Sequence, residues 1–407
     1  MDTNLKKNTI WNIIGTGINA FASLFFMIIV TRINDVNEAG VFTFAFSLAT
    51  LLNVVGTYAG RIYQVTERKN ISNSEYLINR VITCFFMCLM AILFISAKNY
   101  NLEKNIVILL LCFLKMLEAF CDVIYGFLQK QDELYKVGIT LTLKNVIGLF
   151  VFLFVDLKTK NVIISIIAFI VVYIIITFVY DFSQASMRKQ MCGDIRGKNI
   201  MDIFQNGFPT FAVTFLNMYI INASKYAIDE LMTDNYQAIF GIIIMPATVM
   251  ILLAQFMVHP FLNMITECIS NKAYKSINKF LLKITALMVI IGVAAVLFCY
   301  FIGIYILEFI YSIPLVSYNE CLSIILMGAV FSALTSVIIT VLIAMRHTMI
   351  QMIVYILVSI IAFFLSHILV VKYEIMGASI NYSLIMIVNC VIFFIIYAIM
   401  VKRDKQM

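Results

Sequence analysis

Apolar runs of about twenty residues follow one another almost from end to end of this sequence, parted only by short clusters of charge, Asn, Gly or Pro. A helix of that length reaches across the ~30 Å hydrocarbon layer of a bilayer, so the chain is written for lipid. Cut at those clusters, it yields twelve predicted spans: 10–32, 38–64, 76–97, 105–129, 137–155, 161–182, 207–226, 236–265, 280–305, 317–345, 350–371 and 376–401. Of its 407 residues 63% are hydrophobic and 13% charged, against the roughly one quarter charged that clothes a water-soluble surface. The fold class expected is an all-α integral membrane protein, and the first run, of spanning length and without a small-residue cleavage site, is expected to stay as a helix.

Lys and Arg resist translocation and gather in cytoplasmic loops. With the N-terminus inside, seventeen of the 29 basic residues fall in inner segments and six in outer ones, which predicts a multi-pass protein with both termini cytoplasmic. The longest polar segment, 183–206, interleaves basic residues with Met, Ile and Phe and reads as an interfacial basic helix. It divides the chain into an N-terminal six-helix bundle (1–182), a cytoplasmic linker (183–206) and a C-terminal six-helix bundle (207–407). Six spans on either side start the halves on the same face, as in a parallel repeat about the membrane normal.

Polar side chains in lipid are costly, so their angular placement shows which face of a span is wet. On the second span Thr43, Ser47, Thr50, Thr57, Arg61 and Gln64 fall within an arc of about 100°. Packing through Ser and Thr accounts for part of that stripe, but a cavity wall accounts for the Arg as well. The fourth span carries Lys115, Glu118, Asp122 and Gln129 on one face, and Lys144 on the fifth is placed to join them. Either this is a neutralised cluster holding helices together, or Glu118 or Asp122 exchanges H⁺ or Na⁺ between conformations. The first span sets Thr16 and Asn19 beside Asn12 and Ser23, and the seventh sets Thr214 and Asn217 beside Thr210, Ser224 and Lys225. Arg32 and Lys225 lie toward outer helix ends, where they either snorkel to headgroups or capture an anionic one. Pro209, Pro246 and Pro260 are expected to bend the seventh and eighth helices.

Nine cysteines form no CxxC pair and read as packing residues, and His259, His347 and His367 have no metal-ligand spacing, so no metal or cofactor is predicted. A Walker A loop, a dinucleotide fingerprint and a nucleophile elbow are all missing, which leaves nucleotide hydrolysis and soluble-type catalysis without a basis. No basic block is long enough to grip nucleic acid.

The runs Val30–Leu48 (VTRINDVNEAGVFTFAFSL), Ala59–Glu67 (AGRIYQVTE), Gly207–Phe211 (GFPTF), Asn222–Asp229 (NASKYAID) and Ala238–Ala247 (AIFGIIIMPA) together resemble the Wzx-type polysaccharide flippases, part of the multidrug/oligosaccharidyl-lipid/polysaccharide exporter superfamily. The resemblance covers essentially all twelve spans. It implies a V-shaped pair of six-helix bundles that moves an undecaprenyl-diphosphate-linked oligosaccharide from the inner to the outer leaflet of a bacterial plasma membrane by alternating access. The partners it implies are that lipid-linked cargo, the surrounding membrane lipids, and a polysaccharide polymerase and chain-length regulator serving capsule or O-antigen assembly. Arg61 and Arg32 match the family's basic positions, with Lys225 as the second-half candidate for the diphosphate. Thr16, Asn19, Thr50, Thr57, Gln64, Thr214 and Asn217 are the expected cavity-lining polar residues. Glu118, Asp122, Lys115 and Lys144 are the ion-coupling candidates, from their position alone.

Two other functions compete. A drug or cation antiporter of the same superfamily shares the fold but favours acidic cavity walls, whereas the second span's stripe ends in Arg61. A membrane glycan polymerase needs substantial outer loops, and the longest outer connection here, around Glu308–Tyr318, is roughly a dozen residues by the hydropathy cuts.

Overall fold

The computed structural model describes residues 3–58, 60–66, 71–183, 195–258, 261–271, 273–345 and 348–406, and every extended element among them is helical. Helix boundaries follow capping chemistry. Asp35 accepts from the Glu38 amide (2.7 Å) to start α2 (Val36–Thr57). Ser72 and Glu75 form a reciprocal capping box at the head of α4 (Asn73–Ser96). Asn101 accepts from the Lys104 amide (2.8 Å) to start α5 (Leu102–Lys130), and Asn161 does the same for α7 (Val162–Ile176). Between these run α1 (Thr3–Ile33), the short α3 (Gly60–Thr66) and α6 (Leu134–Thr159). A π-helical turn at Thr177–Asp181 prolongs α7.

The second half comprises α8 (Gly197–Leu231), α9 (Asp234–Ile243), α10 (Met245–Val258), α11 (Leu262–Ser270), α12 (Tyr274–Phe298), α13 (Ile304–Tyr311), α14 (Asn319–Ala344) and α15 (Thr348–Gln406). Nine helices among the described residues are long and apolar enough to cross a membrane by length and composition. One of them, α15, leaves helical geometry at Glu374 (φ 49°, ψ −129°), and Gly377 comes back against the Leu369 carbonyl, so α15 is two helices joined by a tight turn. α5 and α8 have spanning length as well but carry more charge or polarity. Large apolar side chains such as Phe85, Phe150 and Phe309 lie exposed along these helices, as a lipid-facing surface requires.

Two expectations need correction. The predicted second span, 38–64, is two helices: α2 ends at Thr57, Tyr58 takes φ 52°, and α3 opens on Gly60 at φ 66°. Arg61 and Gln64 therefore do not continue the α2 stripe. The polar segment 183–206 is not a separate interfacial helix over its described part, because residues 197–206 are the opening turns of α8; residues 184–194 lie outside the described residues. Pro209 sits inside α8 without ending it, while Pro246 does mark a break, between α9 and α10. His259, Pro260 and His347 are outside the described residues.

The structure forms two compact units, Met1–Phe215 and Leu216–Met407. In the first, α1 and α6 meet backbone to backbone: a Cβ on Gly15 would strike the Gly138 carbonyl, and one on Gly138 would strike that of Trp11. Helices in lipid gain their association from such close approach. Gly138→Ala is expected to cost about 1–3 kcal/mol by overpacking. Gly17→Ala, where nothing lies within 4 Å, is expected to gain up to ~1 kcal/mol in helix propensity. Thermal unfolding followed through Trp11, the one tryptophan, separates the two; equal melting temperatures would refute the close-packing account. In the second unit, Asn381 donates to Ser224 (2.9 Å), which donates to the Ala378 carbonyl (2.8 Å), and Tyr355 packs on Phe393.

Candidate functional site

The polar face of α5 resolves into two separate ionic groups. Lys115 and Glu118 pair at 2.8 Å, with the Lys115 ammonium 4.8 Å from the Phe46 ring centre and the Lys115 carbonyl accepting from Asn53 (2.7 Å). One turn on, Asp122 faces two arginines. Its Oδ2 is 3.4 Å from Arg80 Nη2, and its Oδ1 is 3.9 Å from Arg61 Nε.

Local structure explains how Arg61 reaches α5 at all. The turn through Tyr58 and Gly60 redirects the chain, and α3 lies on α5 where Gly126 leaves room for the Gln64 side chain. Gln64, 1% exposed, donates to the Val123 carbonyl (3.1 Å) and fixes α3 in place, which brings Arg61 alongside Asp122. Arg80 is held more firmly. Buried on α4, it donates through Nη1 to the Gly56 carbonyl (2.8 Å) at the end of α2, and Thr83 donates to the same oxygen (2.7 Å). Arg80 thus closes an otherwise open helix terminus and presents its remaining edge to Asp122. The exposed fractions differ accordingly: 6% for the Arg80 side chain, 27% for Arg61 and 24% for Asp122. A small cleft lined by Thr57, Gly60, Tyr63, Gln64, Asn79 and Arg80 adjoins the group.

Beside it, the first turns of α8 are tied to the rest of the first unit. The buried Glu75 carboxylate accepts from the Arg196 amide (2.8 Å), from the Asn199 side chain (3.0 and 3.1 Å) and from the Ser72 amide (2.7 Å). Tyr58 donates to the Phe204 carbonyl (2.9 Å) and stacks on Phe211 with ring centres 4.7 Å apart.

Lys144 does not join the α5 cluster. Its ammonium is 2.6 Å from Asp181 Oδ2 and 3.0 Å from the Tyr125 hydroxyl, with the Tyr173 ring centre 4.3 Å away; Lys144 is 0% and Asp181 1% exposed. Such a pair is tolerated in an apolar interior only because each charge neutralises the other. The second Asp181 oxygen is buried without a hydrogen-bond partner among the described residues.

The other expected positions divide by environment. Thr43 and Ser47 are buried and donate to carbonyls of their own helix, so on this part of α2 the packing account holds. Thr50 and Thr57 are part-exposed and likewise bond back along α2. Thr16 donates to the Asn12 carbonyl (2.6 Å), and Asn19 accepts from Asn145 of α6 (3.0 Å). Thr214, exposed on α8, donates to the Thr210 carbonyl (2.9 Å); Asn217 and Lys225 are half-buried on the same helix, and Arg32 is exposed in the last turn of α1. His367 stands 3.3 Å from Glu230. Sequence reasoning missed Arg80, Asp181 and Glu75. For Arg80 a signal was present, since an arginine just inside an apolar run has to find a partner.

The fold is that of solved transporters. The inward-facing conformation of a multidrug resistance MATE family transporter of the MOP superfamily superimposes with TM-score 0.74 at 13% identity, covering 100% of each chain. The outward-facing conformation of such a transporter gives 0.63 at 14% identity over 99% of this chain and 96% of the other. A MATE crystallised in complex with MaD3S gives 0.65 at 15% identity over 99% and 97%. No family model matches the sequence, and no curated protein does.

Proposed function

We propose that this chain is a flippase for undecaprenyl-diphosphate-linked oligosaccharide, moving repeat units from the inner to the outer leaflet of a bacterial plasma membrane for capsule, O-antigen or another surface polysaccharide. The observation that carries this reading is the meeting of Arg61 and Arg80 at one shared carboxylate, in a part-exposed position on a transporter fold. A diphosphate crossing a membrane needs cationic partners, and guanidinium groups bind phosphate oxygens in forked pairs while the polyprenyl tail stays in lipid. Arg32 in the first unit and Lys225 in the second are further cationic candidates, with Thr16, Asn19, Thr50, Thr57 and Thr214 as polar candidates in the first unit and Asn217 in the second; Gln64, 1% exposed, serves instead to seat α3.

Net delivery of the headgroup against a concentration gradient calls for coupling, for which H⁺ or Na⁺ is the proposed source. Among Glu118, Asp122, Lys115 and Lys144, the last has the surroundings that best support the role. Lys144 is fully buried 2.6 Å from Asp181, so the two opposite charges are enclosed together inside the first unit.

The solved neighbours are multidrug transporters, which favours a second reading, a multidrug or cation antiporter on the same fold. A leaflet-accessibility assay in cells carrying lipid-linked oligosaccharide separates the two. Arg61→Ala at matched expression is expected to cut delivery to the outer leaflet at least tenfold. Drug resistance conferred by the wild type, together with undiminished lipid delivery in a deletion strain lacking paralogues, would replace the flippase reading with the antiporter one.

A further inference from the structure

Two guanidiniums share one carboxylate at this site, and they hold it unequally. Arg80 is buried and anchored by its bond to the Gly56 carbonyl, so its distance to Asp122 is set by the packing of α4 against α2 and α5. Arg61 is more than a quarter exposed, sits on the short α3, and stands 3.9 Å from Asp122, outside hydrogen-bond reach. A part-exposed ion pair of that length contributes little, because water already solvates both groups and the side chains lose entropy by staying together. Arg61 is thus placed beside an anion without being committed to it. Among the described residues the group is two positive charges to one negative.

We propose that Asp122 is a resident counter-anion for Arg61 which the arriving diphosphate displaces, and whose return to Arg61 helps to release the diphosphate. The inference rests on the flippase reading and assigns Asp122 a role in release. The chemistry favours exchange in this direction: a diphosphate brings more charge and more acceptor oxygens than a carboxylate and engages a guanidinium in a forked pair, which the 3.9 Å contact does not. Asp122 stays in place throughout because Arg80 holds its other oxygen. When the headgroup moves on, Arg61 finds an anion already waiting, so it is never left uncompensated.

A site built this way binds its cargo less tightly than its arginines alone allow. Removing the carboxylate charge should therefore raise affinity while lowering turnover, a combination that loss of a binding residue cannot produce. Full-length wild type and Asp122→Asn, each in lipid nanodiscs, are titrated with undecaprenyl diphosphate bearing no sugar, and headgroup flipping is measured in proteoliposomes. The variant is expected to bind the diphosphate about fivefold more tightly, the upper end of an exposed ion pair's worth, and to flip it more slowly. Asp122→Glu restores both values toward wild type. Should the asparagine variant fail to fold, Asp122→Ser carries the same charge change in a smaller side chain.

Equal or weaker diphosphate binding in a folded neutral variant, with the wild type binding, overturns the counter-anion role and leaves the flippase reading standing. Failure of the wild type and every variant to bind the diphosphate, while tetraphenylphosphonium does bind, overturns both. Tighter binding of undecaprenyl diphosphate but not of inorganic pyrophosphate identifies the lipid-borne headgroup as the displacing anion.

Discussion

Lys144→Ala is expected to destabilise the first helical unit by about 3–5 kcal/mol, the range for stripping one partner from a buried ion pair. The cause is what the substitution leaves behind. Asp181 is 1% exposed, one of its oxygens already has no hydrogen-bond partner among the described residues, and the other points at Lys144 from 2.6 Å. With the ammonium gone, the carboxylate is left as an unpaired charge in an apolar interior. Removing both charges should do less harm than removing one, so Lys144→Met with Asp181→Leu is expected to recover most of the loss. Thermal unfolding in detergent, read from Trp11, tests this. A single variant that melts within a degree of wild type would mean that water or another cation reaches Asp181.

The second large effect is expected at Arg80. Arg80→Ala should cost about 2–3 kcal/mol, since a charged donor is lost from the Gly56 carbonyl and the Asp122 carboxylate together. It should also abolish transport beyond what destabilisation explains, because Asp122 loses its anchor. Arg80→Lys is not expected to rescue it: an ammonium donates from one nitrogen, whereas Arg80 reaches the Gly56 carbonyl and Asp122 through two different nitrogens of its fork. Melting temperature and proteoliposome flipping, measured side by side, give the answer. Wild-type flipping in a folded lysine variant would show that charge alone suffices and that the forked geometry is incidental.

What the sequence disclosed and what it hid follow from the range of the forces involved. Helices were legible because lipid imposes one requirement on every spanning segment, a run of apolar residues, and polar caps such as Asp35, Ser72 and Asn161 mark where it starts. Asp122 and Lys144 stood out for the same reason, as charges in the wrong solvent. Their partners did not, because pairing is tertiary: Lys144 and Asp181 lie 37 residues apart and Arg80 and Asp122 lie 42, and periodicity along one helix carries no information across two. The break at Tyr58 was hidden too. A tyrosine at φ 52° gives no warning in its own identity, and the hydropathy of the segment runs on through it. That one missed turn is why Arg61 and Gln64 were assigned to the wrong helix.

The turn also settles what kind of mechanical part Arg61 is mounted on. An arginine in the middle of α2 would be a rivet, and shifting it would mean bending a 22-residue helix and breaking its backbone ladder, at roughly 1 kcal/mol for each hydrogen bond. Carried on the seven-residue α3, which opens on a positive-φ glycine just after a positive-φ tyrosine, it is closer to the tongue of a latch. Re-aiming it would leave the hydrogen bonds of α2 made, and the seating of Gln64 against Val123 and Gly126 would resist it.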